Sequence, residues 1–156
     1  MRNSLVSRLL IAASLLLGFS TTMRAQDSCD ATSFKGAYGL SLKGFVYDAR
    51  GTMYILAAAG RVVADGAGAI TGVDTISYDG TIVKRKFTGA YTVNADCSGT
   101  LVLNADDTSM TNADFVIVND GKEVSLVQTD ANFIMSGELK LQKSQTTAAT
   151  PATPAQ

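Results

Sequence analysis

The sequence contains no histidine and no tryptophan, and only two of its 156 residues are cysteines. Without histidine, the chain has no imidazole for a Ser–His–Asp or Cys–His catalytic site, for zinc ligation or for proton transfer near neutral pH. Calcium loops of the D-x-D-x-D-G type are also missing. We therefore expect no metal and no cofactor, and any catalysis would depend on Asp, Glu, Tyr, Lys or Arg.

Basic residues are scarce as well. After Gln26 there are ten basic residues and fourteen acidic ones, which leaves this part of the chain with a net charge of −4. Its one basic cluster is Lys84-Arg85-Lys86. A mildly acidic chain without a basic stripe is a poor partner for nucleic acid or anionic lipid. We expect no nucleic acid as a partner.

The first 25 residues have the pattern of a secretory signal peptide. Arg2 and Arg8 are followed by an apolar run from 9 to 19 and a polar stretch that ends at Ala25. The apolar run is too short to span a membrane. We expect cleavage after Ala25 and export to the periplasm or the extracellular space.

Cys29 and Cys97 would then lie in an oxidising compartment. An even cysteine count after a signal peptide favours a disulfide, and neither residue belongs to a C-x-x-C motif. Closing a loop of this length contributes roughly 4 kcal/mol in the chain-entropy model. The predicted disulfide ties residue 29 to the end of a long central strand.

Turn signals and alternating apolar residues follow one another from residue 34 onward. Asp-Gly and Asn-rich segments are typical of hairpin turns, and no gap is long enough for a crossover helix. The pattern predicts eight antiparallel strands, at 34–45, 53–64, 69–78, 81–93, 100–105, 113–119, 122–129 and 132–142.

The first and last of these strands have one apolar face each. If they pair, the meander closes into an eight-stranded up-and-down barrel without free edges. A two-sheet β-sandwich would give a similar pattern and is the alternative. We expect a single β domain over residues 26–142, followed by a disordered Thr/Ala/Pro tail at 143–156.

Two features resemble known families. The opening Gly36-x-Tyr38 is similar to the Gly-x-Trp that begins the barrel of lipocalins, in the calycin architecture. The segments 64–72 and 87–101, together with Gly36-Ala-Tyr-Gly39, resemble a group of uncharacterised secreted bacterial proteins. Barrels of the allene oxide cyclase and dirigent type share comparable D-G-x-G turns. These resemblances imply a barrel fold and an exported protein, and they imply no activity.

Four polar residues are candidates for a ligand site inside the barrel. Arg85 lies on the predicted inward face and could bind the carboxylate of a fatty-acid-like ligand. Alternatively it forms an internal ion pair with Asp74, or a bulge turns it outward. Gln128 is a second inward polar residue, and Tyr91 could stack on a ligand or simply pack with its hydroxyl at a rim.

Three functions fit this sequence. The first is non-enzymatic binding of a small apolar or amphipathic molecule, because eight-stranded barrels are just wide enough to hold one. The second is a structural or interaction module of the cell envelope with a filled barrel. The third is an isomerase or cyclase of the dirigent type that uses Arg85, Asp74 or a tyrosine as acid or base.

Overall fold

The computed structural model describes residues 28–143. In this part of the chain a short 3-10 helix, Ala31–Ser33, precedes eight strands, β1 to β8, which span Lys35–Tyr47, Met53–Asp65, Ala69–Tyr78, Thr81–Val93, Ser98–Ala105, Met110–Val118, Glu123–Gln128 and Phe133–Leu141. The predicted signal segment 1–25 and the predicted tail after Lys143 lie outside the described residues. Within the described range, no helix is long and apolar enough to cross a membrane.

The eight strands form a closed barrel in which each strand pairs antiparallel with its neighbours in sequence. Closure comes from β1 and β8, which pair from Tyr38 opposite Leu141 to Val46 opposite Phe133. The predicted up-and-down barrel is confirmed, and the sandwich alternative is wrong. Closure gives every strand two hydrogen-bonded neighbours, so the barrel has no free sheet edge.

Most strand boundaries fall within two residues of the predicted ones, and the largest difference is at β6. This strand begins at Met110, three residues earlier than predicted, because the preceding turn is tight. The carboxylate of Asp107 accepts a hydrogen bond from the backbone N–H of Ser109 at 2.9 Å. Thr108 between them has a φ of 70°, which completes the reversal within residues 106–109.

The two ends of the barrel differ. At the end that we call the capped end lie the turns 66–68, 94–97 and 119–122, together with the 3-10 helix. At the opposite end, which we call the open end, lie the turns 48–52, 79–80, 106–109 and 129–132. The chain enters the barrel at the capped end, so the N-terminal residues are available to close that end.

A disulfide joins the N-terminal segment to the capped end. Cys29 and Cys97 are bonded, with their Cα atoms 4.9 Å apart, as the sequence predicted. Next to it, the backbone N–H of Cys29 donates to the carbonyl of Ala95 at 3.2 Å. The segment before β1 is therefore anchored to the turn between β4 and β5.

Phe34 fills the interior of the capped end. The sequence placed Phe34 in the first strand, but it follows the 3-10 helix and precedes β1. Its side chain has no exposed area, and its ring centroid lies 5.1 Å from Tyr38, 4.9 Å from Tyr91 and 5.4 Å from Phe115. Four packed rings leave this half of the barrel filled.

Two tyrosine hydroxyls connect the capping segments. Tyr91 donates to the carbonyl of Phe34 at 2.8 Å and accepts from the backbone N–H of Gly66 at 3.0 Å. Tyr38 donates to the carbonyl of Gly121 at 2.8 Å. Burial raises the pKa of both hydroxyls, so both stay protonated donors at neutral pH. These bonds hold the N-terminal segment and two turns together over the aromatic cluster.

We predict that Tyr91→Phe lowers the free energy of unfolding by about 1–2 kcal/mol, because it leaves the buried carbonyl of Phe34 and N–H of Gly66 without their partner. Urea denaturation measures this. The matched control is Tyr47→Phe, because the hydroxyl of Tyr47 is exposed and its hydrogen bond within residues 28–143 goes to the sulfur of Met53 at 3.6 Å. Equal losses in the two variants would contradict the anchoring role of Tyr91.

Candidate functional site

The interior of the barrel is not filled along its whole length. A cavity of about 120 Å³ extends from the middle of the barrel toward the open end. Its wall is mostly aliphatic, with leucines from five strands, and its open-end side includes Met110, Phe133 and Met135. Ala58, a small residue on β2, lies in this wall. Ala64, on the same strand, packs in the filled half.

The volume of the cavity limits what fits inside it. Drug-sized ligands occupy pockets of roughly 300–1,000 Å³, whereas an engineered apolar cavity of about 150 Å³ in another protein binds benzene or xenon. At about 120 Å³, this cavity matches a single small ring and is too small for a long-chain fatty acid.

One ion pair lies in the cavity wall. Asp74 on β3 and Arg85 on β4 are directly opposite each other in the sheet. The Nε of Arg85 donates to Oδ1 of Asp74 at 3.1 Å, and Nη2 donates to Oδ2 at 2.7 Å. The internal ion pair was one of the sequence alternatives for Arg85, and it is the arrangement that the structure contains.

The pair is buried, and a glycine provides the room for it. Asp74 is only 5% exposed, and the side chain of Arg85 is 14% exposed. Gly60 on β2 lies opposite Asp74, and a Cβ at this position would overlap the backbone of β3 and the side chain of Asp74. A glycine at this position therefore lets two neighbouring strands approach around the carboxylate.

Ser109 extends the pair to the turn at the open end. Its hydroxyl accepts from Nη1 of Arg85 at 2.9 Å and donates to the carboxylate of Asp107 at 2.5 Å. Burial alone would lower the pKa of Arg85, but the bonded carboxylate of Asp74, with the charges of Asp107 and Asp106, raises it above its ordinary value. The guanidinium is therefore charged at every pH at which the fold is expected to exist.

The other two sequence candidates lie in different places. Gln128 does line the cavity, and its amide nitrogen donates to Asp130 at 2.8 Å. Asp130 also accepts from the side-chain amide of Asn112 at 2.6 Å. Tyr91 does not line the cavity, because its ring belongs to the aromatic cluster of the capped end. The structure thus brings together Arg85, Asp74 and Gln128, but not Tyr91.

Sequence reasoning missed Ser109. The signal that could have found it is the Asp107-Thr-Ser109 spacing, in which an aspartate accepts hydrogen bonds from the residue two positions later. That turn fixes the position of the Ser109 hydroxyl over Arg85. No group of three or more His, Cys, Asp or Glu residues is placed to hold a metal ion in the range 28–143.

Comparisons with known proteins support the fold. A solved structure described as a de novo designed fluorescence-activating β-barrel is similar to this chain with a TM-score of 0.53 and 14% sequence identity, over 73% of this chain and 99% of that one. At this level of identity the likeness extends to the fold alone. No family model matches the sequence, and no curated protein matches it. By fold, the protein is a closed antiparallel β-barrel with an internal cavity.

We predict that Asp74→Asn lowers the free energy of unfolding by about 3 kcal/mol, because it leaves the buried charge of Arg85 without a counter-ion. Replacing both partners, in Asp74→Leu/Arg85→Met, should leave the stability within about 1 kcal/mol of wild type. Chemical denaturation of the three proteins measures both effects.

Lys86→Met is the control for loss of a basic side chain from the same strand, because Lys86 is exposed. It should change the stability by less than about 0.5 kcal/mol. A double variant as unstable as the single one would contradict the view that the single variant fails through its unpaired charge.

Proposed function

We propose that this protein is a non-enzymatic binding protein that holds one small apolar molecule in the cavity of its barrel. The observation that carries the proposal is the cavity itself, an apolar space of about 120 Å³ inside an otherwise packed barrel. Well-packed interiors rarely contain voids larger than a water molecule. A void of this size costs stability, since the side chains around it lose contacts. A ligand that fills the void would restore these contacts.

The uneven filling of the barrel supports the proposal. The bulkiest cluster of inward residues, around Phe34, lies at the capped end. On the other side of the barrel the wall includes the small residue Ala58 and the methionines Met110 and Met135. Unbranched methionine side chains adapt their shape to a ligand at low cost.

The enzymatic alternative has less support. General acid or base catalysis needs a titratable group free to exchange a proton with a substrate. The titratable residues in the wall of this cavity are Asp74 and Arg85. Both carboxylate oxygens of Asp74 accept hydrogen bonds from Arg85. An isomerase of the dirigent type would have to break this pair before it could act.

One observation favours the interaction module as a second candidate. On the outer face, Phe45 on β1 lies directly between Ile55 on β2 and Ile134 on β8. These three side chains are 38%, 60% and 60% exposed, respectively. Cross-strand neighbours on one face are about 5 Å apart, so they form a continuous apolar row. Binding of a protein partner at this row would not depend on the cavity.

Export of the protein and its relation to the calycin architecture are parts of the same proposal. The Cys29–Cys97 disulfide supports an oxidising compartment, as does the predicted signal segment. Tyr38 belongs to the Gly-x-Tyr motif that is similar to the Gly-x-Trp of lipocalins. It packs against Phe34 at the capped end of the barrel. That position is consistent with a calycin-like barrel that opens at one end.

We predict that benzene or toluene binds the protein saturably and at one site, and that Ala58→Leu weakens this binding at least tenfold because the longer side chain fills the cavity. Backbone amide NMR titration measures the affinity and locates the shifts. Ala57→Leu is the matched control, since the neighbouring alanine points outward and is exposed.

No saturable binding to the wild-type protein would overturn the proposed function. Equal weakening by the two leucine substitutions would show that the probe binds somewhere other than the cavity.

A further inference from the structure

We propose that the ligand of this cavity is uncharged and carries one oxygen that accepts a hydrogen bond from the guanidinium of Arg85. The chemical class is a small cyclic ketone, aldehyde or ester. This inference rests on the proposed function, because it names the kind of molecule that the same cavity takes.

The side chain of Arg85 has more hydrogen-bond donors than its neighbours use. A guanidinium has five N–H groups. Two of them bond Asp74 and a third bonds Ser109. The remaining two have no hydrogen-bond partner among residues 28–143. Arg85 therefore has donors to spare in a wall that is mostly apolar.

Ser109 is a polar neighbour of Arg85 in the cavity wall. Its hydroxyl has one proton, and the structure directs it to the carboxylate of Asp107. The same oxygen already accepts from Arg85. Ser109 thus holds the guanidinium in place and has no second proton for a ligand, so Arg85 is the donor at this part of the wall.

The charges in the cavity wall limit the charge that a ligand can carry. The carboxylate of Asp74 compensates the guanidinium at 2.7 Å, so the pair as a whole is neutral. A ligand carboxylate would enter a buried space without an uncompensated cation, and it would also face the nearby charges of Asp106 and Asp107. An ammonium ligand would meet a carboxylate whose charge Arg85 already compensates, and it would face the positive guanidinium itself. Desolvation of either ion would have no compensating partner, so the cavity favours a neutral molecule.

Four probes of similar size separate these alternatives. Toluene is apolar, cyclohexanone adds one neutral acceptor oxygen, cyclopentanecarboxylate is an anion at pH 7, and cyclohexylamine is a cation at pH 7. Their affinities for the wild-type protein are compared with those for Asp74→Leu/Arg85→Met, which removes the polar groups but retains an apolar wall. We use the ratio of the cyclohexanone affinity to the toluene affinity, because differences in hydration between the probes cancel when the two proteins are compared.

We expect this ratio to fall about tenfold in the double variant, since a hydrogen bond to a charged donor is lost. Thr111→Val is the control. It removes a hydroxyl from the cavity wall and leaves the ion pair and its bond to Ser109 intact, so the ratio should be retained. The two charged probes should bind the wild-type protein at least tenfold more weakly than cyclohexanone.

A second measurement needs no variant of Arg85. Infrared spectroscopy of cyclohexanone bound to the wild-type protein should show the carbonyl stretch at a lower frequency than in an alkane solvent, because the hydrogen bond weakens the C=O bond. Even if the double variant does not fold, this reading shows whether the ligand oxygen accepts a hydrogen bond inside the barrel.

An unchanged affinity ratio, an unshifted carbonyl stretch or loss of the ratio in Thr111→Val would overturn the assignment of Arg85, while toluene binding would leave the proposed function standing. Tighter binding of the carboxylate or the amine would overturn the neutral class. Failure of all four probes to bind would overturn the proposed function and this inference together.

Discussion

The hydrogen-bonded pairing of β1 with β8 is the constraint on which the rest of the structure depends. It runs from Tyr38 opposite Leu141 to Val46 opposite Phe133 and turns a meander into a closed barrel. Closure removes the free edges and creates an interior whose width is fixed by the strand number. Such an interior must either be filled by side chains or remain partly empty. In this barrel the capped half is filled, and the half toward the open end contains the cavity.

The capped half is filled because the N-terminal segment enters the barrel there. The disulfide between Cys29 and Cys97 anchors this segment, and Phe34 brings an aromatic ring to the centre of the cluster. Toward the open end no such segment enters from the described residues 28–143, so the packing there depends on the strands and their turns. The ion pair of Asp74 and Arg85 then provides a charged group in a mostly apolar wall.

Sequence reasoning predicted the features that depend on local pattern. Alternation and Asp-Gly turns gave the eight strands, and the inward face shared by Arg85 and its neighbours made the pair with Asp74 one of the alternatives. The sequence pattern did not predict that Phe34 lies before β1, since a single 3-10 turn has no periodic signal. Tyr91 looked equivalent to any inward residue, because which end of a barrel is capped depends on contacts far apart in sequence. Whether a cavity exists depends on how side chains from several strands pack together, which no periodicity encodes.

The central claim is that the barrel contains an apolar cavity that a small apolar ligand can enter. Xenon tests it most directly, because apolar cavities of similar size bind this atom without polar contacts. A crystal of the protein under xenon pressure should contain one xenon atom inside the barrel, in contact with Leu40, Ala58 and Met135. A barrel interior without xenon, with the surrounding side chains packed into the space, would contradict the account.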